Sequence, residues 1–529
     1  MRRNLRRKKR KRDSLSKVLG VSLLHCQGGV YMNILVDSRQ MKMCDSNTIH
    51  HFGVPSLVLM ERAALGVTEE IEKRVQSQGQ ILLVCGTGNN GGDGLAVGRI
   101  LLQHGYKVTV VMPGDLSKVS AETEKQLEIC NAYGIEIQRQ IPKKEFDVVV
   151  DAIFGIGLSR DLQGTYFELI EQMNEIEAYK VAVDIPSGIH ADTGAVMGIA
   201  FQADITVTFA FQKLGLRLYP GTEYAGQTVV KDIGIGAESF LEEKIVNYEL
   251  EDKDLYKIPK RPNYSNKGTF GKVLVVAGHK NMAGAAFLSG KAAYVTGAGL
   301  VKIWTEEANR QIIQQLLPEA VMGVYEPKQP KIEELKESID WADVIVAGPG
   351  IGTEETAEEM IKVILENAKV PVILDADGLN IVAKHKEWLK AAKTTLIVTP
   401  HLGEMARLIE KSIFDMKKQL LQVAREFAEE YNVICVLKDA RTIIALPDGT
   451  TYINTSGNNG MATGGAGDVL TGVLAGLIAQ RMEVKQAAPL GVYLHGIGAD
   501  RMIAQTGTYG MMAQDIAEGV RMVMKEIQE

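Results

Sequence analysis

The chain has 529 residues, more than one hydrophobic core usually serves, so two or more domains are expected. A hydrophobic content of 46%, a charged content of 23% and a net charge of −6 are those of an ordinary globular protein. No apolar run reaches the ~20 residues that span a bilayer, which excludes a membrane-spanning chain.

The five cysteines are scattered through the chain and show no CxxC spacing. This pattern indicates neither a disulfide framework nor a zinc site, and we therefore expect a reducing, cytoplasmic location.

The first twelve residues, MRRNLRRKKRKR, carry nine basic groups and no acid. Such a run is typical of a nucleic-acid arm, a membrane-surface tag or the start of a signal peptide. The apolar piece VLGVSLL that follows is short and has no clear cleavage pattern after it. We predict a disordered basic leader over residues 1–31, with the folded protein beginning at Met32.

Short apolar runs alternate with helical stretches from Gln80 onward. The strand candidates are QILLVCG, YKVTVVMP, FDVVVDAIFG, YKVAVDIPSG and ADITVTFAF, with helices predicted over 119–133 and 165–177. The runs are apolar throughout, as expected for parallel strands buried on both faces. This rhythm predicts a doubly wound, three-layer α/β domain over residues 32–240.

The stretch CGTGNNGGDGLAVGR, residues 85–99, directly follows the first of these strands. Backbone N–H groups and the helix dipole favour an anion such as a pyrophosphate there. The glycine spacing fits neither standard nucleotide fingerprint. Asn89, Asn90 and Asp93 add oxygen atoms that suit a hard cation or ribose hydroxyls, whereas a plain turn would need only glycines.

Two further acids, Asp151 and Asp184, end later strands of the same predicted sheet. Because the carboxyl ends of parallel strands meet at one edge, we expect Asp93, Asp151 and Asp184 to come together. Burying a carboxylate without a partner is costly, so three acids at strand ends indicate a site.

The strings NNGGDG, DAIFGIGLSRD and DIPSGIHADTG, with MNILVDSRQMKMCDSNTI and GVPSLVLMERAA before them, together resemble the NAD(P)H-hydrate epimerase family, which has a Rossmann-like fold. The resemblance implies that the domain interconverts the R and S forms of hydrated NADH and NADPH, with Asp184 as the catalytic proton-transfer residue. It also implies K⁺ held by Asn90, Asp151 and Ser187. The implied substrate-binding residues are Asn89, Asn90, Gly91, Gly92, Asp93, Gly155, Ile156, Gly157, Leu158, Ser159, Arg160, Asp161 and Asp184.

A charged stretch with Pro259 and Pro262 interrupts the rhythm, and we predict a linker over residues 241–265. A second series of alternating strands and helices is predicted to follow, marked by the apolar runs KVLVVAG, LVKIWT, DVIVAGPG, PVILDADGLNIV, TLIVTP, NVICVLKD and RTIIAL. The two halves do not align motif for motif, so we predict a second, unrelated α/β domain over residues 266–529.

The stretch TSGNNGMATGGAGDVLTG, residues 455–472, places Asp468 at the start of a glycine-rich helix. The N–H groups of residues 464–467 can hold a phosphoryl oxyanion while Asp468 takes a proton from the attacking oxygen. An aspartate here is also a common helix N-cap, but the turn is longer than a cap requires.

This GAGD motif, with TPHLGEMARL, AGPGIG, LDADGLN and NMAGAAFLSGKAAYVTGAGLVKI, resembles the NAD(P)H-hydrate dehydratase branch of the ribokinase-like fold. The resemblance implies that ADP phosphorylates the hydroxyl of the S hydrate, and Mg²⁺ is expected because phosphoryl transfer nearly always recruits it. Leu402 stands where the family usually has proline. The implied catalytic residue is Asp468. The implied hydrate-binding residues are Ala285, Gly350, His401 and Asp468, and the implied ADP/AMP-binding residues are Lys438, Asp439, Ala440, Arg441, Thr442 and Gly467.

We therefore predict a bifunctional enzyme that repairs hydrated nicotinamide cofactors, with ADP as phosphoryl donor, as is usual in the family's bacterial fused forms. We expect a homo-oligomer whose partners are small molecules, without nucleic acid or membrane. One alternative is a ribokinase-like kinase for a sugar or vitamin precursor, with an accessory dinucleotide-binding domain. Another is a non-catalytic scaffold that contacts RNA or an acidic partner through the basic leader.

Overall fold

The computed structural model describes residues 33–528, so the leader predicted over residues 1–31 lies outside the described part. The chain divides into two compact units, one ending at Ile245 and one beginning at Val246. Each unit is built of helices and a largely parallel sheet, which confirms the predicted α/β fold class. None of the helices in residues 33–528 combines the length and the apolar character needed to cross a membrane.

The N-terminal unit begins with a strand and two helices before its main sheet. Its strands are β1 (Asn33–Val36), β2 (Gln80–Cys85), β3 (Lys107–Val111), β4 (Ile137–Gln138), β5 (Val148–Ala152), β6 (Tyr179–Val183), β7 (Ile205–Phe209), β8 (Gln212–Lys213) and β9 (Gln227–Lys231). Its helices are α1 (Ser38–His50), α2 (Ser56–Glu72), α3 (Asn89–Gln103), α4 (Ala121–Ala132), α5 (Thr165–Glu175) and α6 (Gly221–Ala225).

Seven of these strands form one sheet in the order β4-β3-β2-β5-β6-β7-β9. All its neighbours are parallel, and Val84 of β2 lies opposite Val111 of β3 and Asp151 of β5. β1 and β8 pair with each other, which sets Val36 beside Lys213. The strand order reverses between β2 and β5, and such a switch point leaves a crevice beyond the carboxyl ends of the strands.

The sheet is covered on both faces, as its continuous apolar strands predict. Ile81 and Leu83 of β2 pack into a core shared with α1 to α4, while Leu82 and Val84 face the opposite core, which contains α5. All four side chains are fully buried. Each contributes about 1.5–3 kcal/mol relative to an exposed position, which fixes the carboxyl end of β2 firmly.

The C-terminal unit repeats the same plan with different connections. Its strands are β10 (Asn247–Glu249), β11 (Lys272–Val276), β12 (Leu300–Glu306), β13 (Val321–Tyr325), β14 (Val344–Ala347), β15 (Val372–Leu374), β16 (Leu396–Val398), β17 (Ile434–Leu437), β18 (Ile443–Ala445) and β19 (Thr451–Ile453). Its helices are α7 (Ala283–Thr296), α8 (Arg310–Leu316), α9 (Ile332–Trp341), α10 (Glu355–Asn367), α11 (Asp377–Val382), α12 (Glu387–Ala391), α13 (Leu402–Ile409), α14 (Ile413–Lys417), α15 (Leu420–Tyr431), α16 (Ala466–Ala479), α17 (Val484–Thr506) and α18 (Ala513–Glu526).

These strands lie in the order β13-β12-β11-β14-β15-β16-β17-β18-β19-β10. The pairs from β13 to β17 are parallel, and β17, β18 and β19 form an antiparallel meander. The order reverses between β11 and β14, so this unit has its own switch point. The stretch predicted as a linker contains β10, which pairs with β19.

The packing of α7 against α16 requires a glycine at residue 472. A Cβ added there would lie 2.2 Å from the Ser289 carbonyl oxygen and 2.6 Å from the Ala292 Cβ. We predict that Gly472→Ala destabilises the C-terminal unit by about 1–3 kcal/mol, because the two helices must separate. The midpoint of urea unfolding, followed by fluorescence, and the melting temperature from calorimetry both measure the loss.

Gly284 provides the matched control, because it lies in α7 and a Cβ there meets no atom within 4 Å. Gly284→Ala should leave stability unchanged or raise it by about 0.5–1 kcal/mol. Equal unfolding midpoints for the two variants would contradict the packing argument.

Candidate functional site

A cavity of about 620 Å³ opens at the β2/β5 switch point of the N-terminal unit. Residues after β2, β5 and β6 line it, together with side chains of α1 and α2. Gly91, Gly92 and Asp161 do not line the cavity. The predicted residues that do are Asn89, Asn90, Asp93, Gly155, Ile156, Gly157, Leu158, Ser159, Arg160 and Asp184.

The glycine stretch after β2 is helical from Asn89 onward. The reason is close packing of the first turn onto the end of β2. A Cβ on Gly91 would lie 1.9 Å from the Gly86 carbonyl oxygen, so only glycine permits this approach. Asn90 and Asp93 are three residues apart on α3 and therefore share the face that borders the cavity.

Asp151, at the end of β5, is fully buried and joined to Ser187. The Ser187 hydroxyl donates to Asp151 Oδ1 and the Ser187 N–H donates to Oδ2, both at 2.6 Å. Ile153 N–H donates to Oδ1 at 3.2 Å. Burial raises the pKa of Asp151 to about 6 although these hydrogen bonds lower it. The carboxyl group thus has only uncharged partners among the described residues.

Asp184 follows β6 in a left-handed conformation, with φ of 66°, which a non-glycine residue adopts only when its surroundings hold it. Its Oδ1 accepts from Lys213 Nζ at 2.5 Å and from the Thr208 hydroxyl at 3.1 Å. Lys213 is fully buried, and its Nζ also donates to the Phe209 carbonyl at 2.9 Å. This ion pair sits at the wall of the cavity.

Three more carboxyl groups border the same cavity, Asp45 of α1, Asp93 of α3 and Glu122 of α4. Burial, reinforced by Asp184 and Asp45, raises the pKa of Asp93 well above its usual value. Burial, reinforced by Glu122, also raises the pKa of Asp45. The cavity therefore holds carboxyl groups in different electrostatic surroundings.

In the C-terminal unit, a second buried ion pair lies against the start of α16. Lys438 Nζ, after β17, donates to Asp375 Oδ1, after β15, at 2.6 Å. A Cβ on Gly467 would lie 3.3 Å from Lys438 Nζ and 3.4 Å from Asp375 Oδ2. Burial lowers the pKa of Lys438, but Asp375 and Glu404 outweigh it and the pKa is raised.

Asp468 is the third residue of α16, and Gly465 occupies the N-cap position with φ of 89°. The aspartate is therefore not the helix cap. Burial, together with the charge of Asp375, raises the pKa of Asp468 to about 7, against the opposing effect of Lys438. A carboxyl group that titrates near neutrality can accept a proton under physiological conditions.

His401 caps the N-terminus of α13, where its Nδ1 accepts from Gly403 N–H at 2.9 Å. Burial and the charge of Lys438 lower the pKa of the imidazole, so it is neutral near pH 7. Lys438 N–H donates to the Pro400 carbonyl at 2.8 Å, which places His401 beside the Lys438–Asp375 pair. The leucine at 402 is compatible with this capping geometry.

Gly350 lies at the β11/β14 switch point, with φ of 59°. A Cβ there would lie 3.1 Å from the Ala285 Cβ, so the structure brings these two predicted residues together. The His279 N–H donates to the Gly350 carbonyl at 2.6 Å and fixes the turn. Ser289, on the same helix as Ala285, donates to the Asp468 carbonyl at 3.1 Å and so joins α7 to the start of α16.

The remaining predicted residues of this unit form the tight turn between β17 and β18. The Thr442 hydroxyl donates to the Asp439 carbonyl at 3.2 Å, and Arg441 donates to the Thr455 carbonyl at 2.6 Å. Asp439 and Ala440 are exposed. These two hydrogen bonds hold the backbone of the turn that follows Lys438.

The sequence patterns did not single out Asp45, Lys213 or Asp375 as site residues. Lys213 follows the apolar run TVTFAF, where a lysine without a partner would be costly to bury. The position of Lys213 shortly after this run is the feature of the sequence from which a buried ion pair could have been predicted. Asp375 lies in the quoted LDADGLN string at a strand end, but its partner is 63 residues away.

The comparisons with known proteins follow the same division of the chain. A family model described as NAD(P)H-hydrate dehydratase matches residues 273–521, and one described as YjeF-related protein N-terminus matches residues 56–215. A bifunctional NAD(P)H-hydrate repair enzyme from Moorella thermoacetica is 36% identical over 523 residues, covering 94% of this chain and 97% of the relative. One from Escherichia coli is 35% identical over 440 residues, covering 82% and 83%.

A solved structure is also similar to about half of the chain. It is the ADP/ATP-dependent NAD(P)H-hydrate dehydratase from Bacillus subtilis, co-crystallised with ATP and Mg²⁺. The sequence identity is 30% and the TM-score is 0.47, with 53% of this chain and 99% of that chain covered.

The Lys213–Asp184 pair yields a stability prediction. Lys213→Met leaves the Asp184 carboxylate in a nearly buried place without a cation, and we expect the N-terminal unit to lose about 3 kcal/mol of unfolding free energy. The double variant Lys213→Met with Asp184→Asn removes both charges and should recover most of that loss. Urea unfolding of the three proteins measures it, and a single variant as stable as the double would contradict the pairing.

Proposed function

The chain belongs to the family of bifunctional NAD(P)H-hydrate repair enzymes, and from this premise we propose how its two units divide the work. The N-terminal unit interconverts the R and S hydrates of NADH and NADPH. The C-terminal unit dehydrates the S hydrate at the expense of ADP, giving AMP and phosphate. The observation that carries this assignment is the presence of two separate groups of acidic residues, each at the switch point or strand ends of its own sheet.

In the N-terminal unit, we assign substrate binding to Asn89–Asp93 of α3 and to the loop 155–161. A nicotinamide hydrate is neutral at its reacting ring but carries a pyrophosphate, which suits the amino end of α3. Asp184 is the proton-transfer residue, and Lys213 holds its carboxylate at the cavity wall. Inversion at C6 of the hydrate needs general acid–base help and no redox chemistry.

We assign K⁺ to the neighbourhood of Asn90, Asp151 and Ser187. Asp151 is fully buried with only uncharged hydrogen-bond donors, so a bound cation would balance its charge. The Asn90 side chain borders Gly155, and its buried Nδ2 has no hydrogen-bond partner among the described residues. When bound, K⁺ supplies positive charge at the base of the two loops, and the three oxygen-bearing side chains suit it.

In the C-terminal unit, we assign the hydrate to Ala285, Gly350, His401 and Asp468, and ADP to residues 438–442 with Gly467. Asp468 takes the proton of the hydrate's hydroxyl, and the backbone N–H groups at the start of α16 bind the transferring phosphoryl group. Lys438 adds a positive charge beside Gly467. Phosphorylation converts a poor leaving group, water, into phosphate, which leaves C6 as the electron pair of N1 forms a C6=N1 bond, and loss of a proton from C5 then restores the C5=C6 double bond and the neutral nitrogen.

Mg²⁺ would enter with the nucleotide. Residues 33–528 contain no cluster of three or more His, Cys, Asp or Glu side chains that could form a dedicated metal cage. This fits an ion held mainly by phosphate oxygens and water, as is usual in phosphoryl transfer. When bound, Mg²⁺ supplies charge neutralisation on the phosphates.

The described cysteines are buried and free, which supports the proposal of a reducing, cytoplasmic location. We also propose a homo-oligomer, which sedimentation of the purified protein tests. The sugar or vitamin-precursor kinase is not favoured, because it leaves the cavity of the N-terminal unit without a role.

The proposed function is tested by incubating the protein with hydrated NADH and either ADP or ATP. The near-ultraviolet absorbance of NADH should return, faster with ADP. Hydrated NADPH, tested in parallel, should also be restored. Phosphorylation of a sugar or vitamin precursor without return of NADH would overturn the assignment.

Two substitutions should separate the activities. We predict that Asp468→Asn slows dehydration by about 10²–10⁴-fold, because the general base is lost, while epimerisation continues. Asp184→Ala should let the S hydrate be consumed while the R hydrate accumulates, apart from slow spontaneous inversion. Chromatographic separation of the epimers measures both, and loss of both activities from either change would contradict two independent sites.

The pKa of Asp468, about 7, predicts the pH dependence of dehydration. A base works only when deprotonated, so the rate should rise with pH through about 7 and then level off. Asp375→Asn removes a negative charge and should move this rise to lower pH, whereas Lys438→Gln removes the opposing positive charge and should move it to higher pH. The rate under saturating substrates, measured from pH 5 to pH 9, tests the pair of shifts. Shifts in the same direction would contradict the assignment.

A further inference from the structure

Four carboxyl groups line the cavity of the N-terminal unit, each from a different element: Asp45 from α1, Asp93 from α3, Glu122 from α4 and Asp184 from the turn after β6. Asp184 Oδ1 accepts from Lys213, Thr208 and the Phe209 N–H. Within residues 33–528, the side chains of Asp45 and Asp93 have neither a hydrogen bond nor an ion pair. Their oxygen atoms are free to meet a ligand.

The carboxyl groups that line the cavity outnumber the buried cations that line it. The Lys213 ammonium is held by Asp184, Thr208 and the Phe209 carbonyl. Lys42 and Arg160 also line the cavity but are exposed to solvent. Asp45 and Asp93 have no cation of their own in this partly buried space, so as carboxylates they repel each other, and one of the two keeps its proton.

The charged groups that face Asp93 are Asp184, Asp45 and Lys213, and the first two outweigh the third in raising its pKa beyond the effect of burial. Asp45 itself faces Glu122 at the start of α4, His50 on α1 and Asp184. The neighbouring Cys85 thiol has a pKa raised by burial and stays neutral. Burial and the two neighbouring carboxyl groups therefore favour the protonated form of Asp93.

We propose that Asp93 is the proton donor in epimerisation and that Asp45 is a positioning residue whose charge keeps the proton on Asp93. The inference rests on the proposed function of the N-terminal unit and adds a second proton-transfer group to Asp184. Asp184, a carboxylate paired with the Lys213 ammonium, is the base. Asp93, a carboxylic acid without a cationic partner, is the acid that the same reaction needs.

The step is an opening and reclosing of the hydrated ring. The Asp184 carboxylate takes the proton of the C6 hydroxyl while the C6–N1 bond breaks. The electron pair of that bond goes to N1, which takes the proton of Asp93, leaving an aldehyde at C6 and an N–H at N1. After rotation about the C5–C6 bond, N1 adds to the other face of the carbonyl. Asp184 then returns its proton to the oxygen, and Asp93 recovers its proton from N1.

The test is the pH dependence of epimerisation in the full chain with no nucleotide added, so that dehydration does not compete. Conversion of the pure R hydrate of NADH to the S hydrate is followed chromatographically, and a blank without protein gives the spontaneous rate. Asp93→Asn should reduce the rate by about 100-fold or more across the range. The epimerisation rate should decline at high pH, where the proton donor loses its proton. Asp45→Asn should move this decline to a pH about one unit lower, so that at high pH the variant is about tenfold slower than the unsubstituted protein.

Two further variants distinguish an electrostatic role from a structural one. Asp45→Glu keeps the charge, and its decline at high pH should stay where the unsubstituted protein has it. Glu122→Gln removes the same charge from the same cavity, but Glu122 accepts from the Ser56 hydroxyl at 3.0 Å and does not act directly on Asp93. Its decline should also stay in place.

An unchanged decline in Asp45→Asn, or an undiminished rate in Asp93→Asn, would overturn the inference. An equal shift in Glu122→Gln would do so as well, because it would show a general charge effect. If the unsubstituted protein fails to convert the R hydrate at all, the proposed function itself fails, and the two failures are thereby distinguished.

Discussion

A charged side chain in a protein interior needs a partner, and the candidate site in each half of this chain meets that requirement with a lysine–aspartate pair. Lys213 holds Asp184 in the N-terminal unit, and Lys438 holds Asp375 in the C-terminal unit. Desolvation makes either partner costly alone, so each pair fixes the strand ends that carry it. A left-handed residue occurs at both places, Asp184 itself and Ala376 next to Asp375, which shows that the surrounding packing holds an unfavourable backbone conformation.

The same constraint divides the neighbouring carboxyl groups into two kinds. Because each ammonium is committed to one aspartate, the other acids nearby have no cation of their own. Burial raises the pKa of Asp93 and brings the pKa of Asp468 to about 7. A carboxyl group such as Asp468 exchanges protons near neutral pH, while the paired aspartates keep the geometry. The two glycine-rich stretches serve this arrangement differently: one packs α3 onto β2, and the other places Lys438 and Asp375 against Gly467.

The sequence predicted the parts of the fold that depend on local patterns. Continuous apolar runs located the central strands, and acids at strand ends located the cavity, since parallel strands bring their carboxyl ends together. Local patterns did not predict that α3 begins at Asn89, because that depends on Gly91 meeting the Gly86 carbonyl. Nor did they predict that the DGLNIV part of the run PVILDADGLNIV forms α11, or which lysine pairs with which aspartate. Those pairings join residues 29 and 63 positions apart, and only the folded sheets bring them together.

At each site the acids without a lysine partner, Asp93 and Asp468, hold protons, whereas Asp184 and Asp375 are carboxylates paired with lysine. Infrared difference spectra at pH 6 between the unsubstituted protein and each variant measure this directly, because a protonated carboxyl group has its own C=O stretching band. We expect protonated-carboxyl signals that are lost in Asp93→Asn or Asp468→Asn and retained in Asp184→Asn and Asp375→Asn. Signals that persist in the first two variants, or that vanish only in the last two, would contradict this assignment.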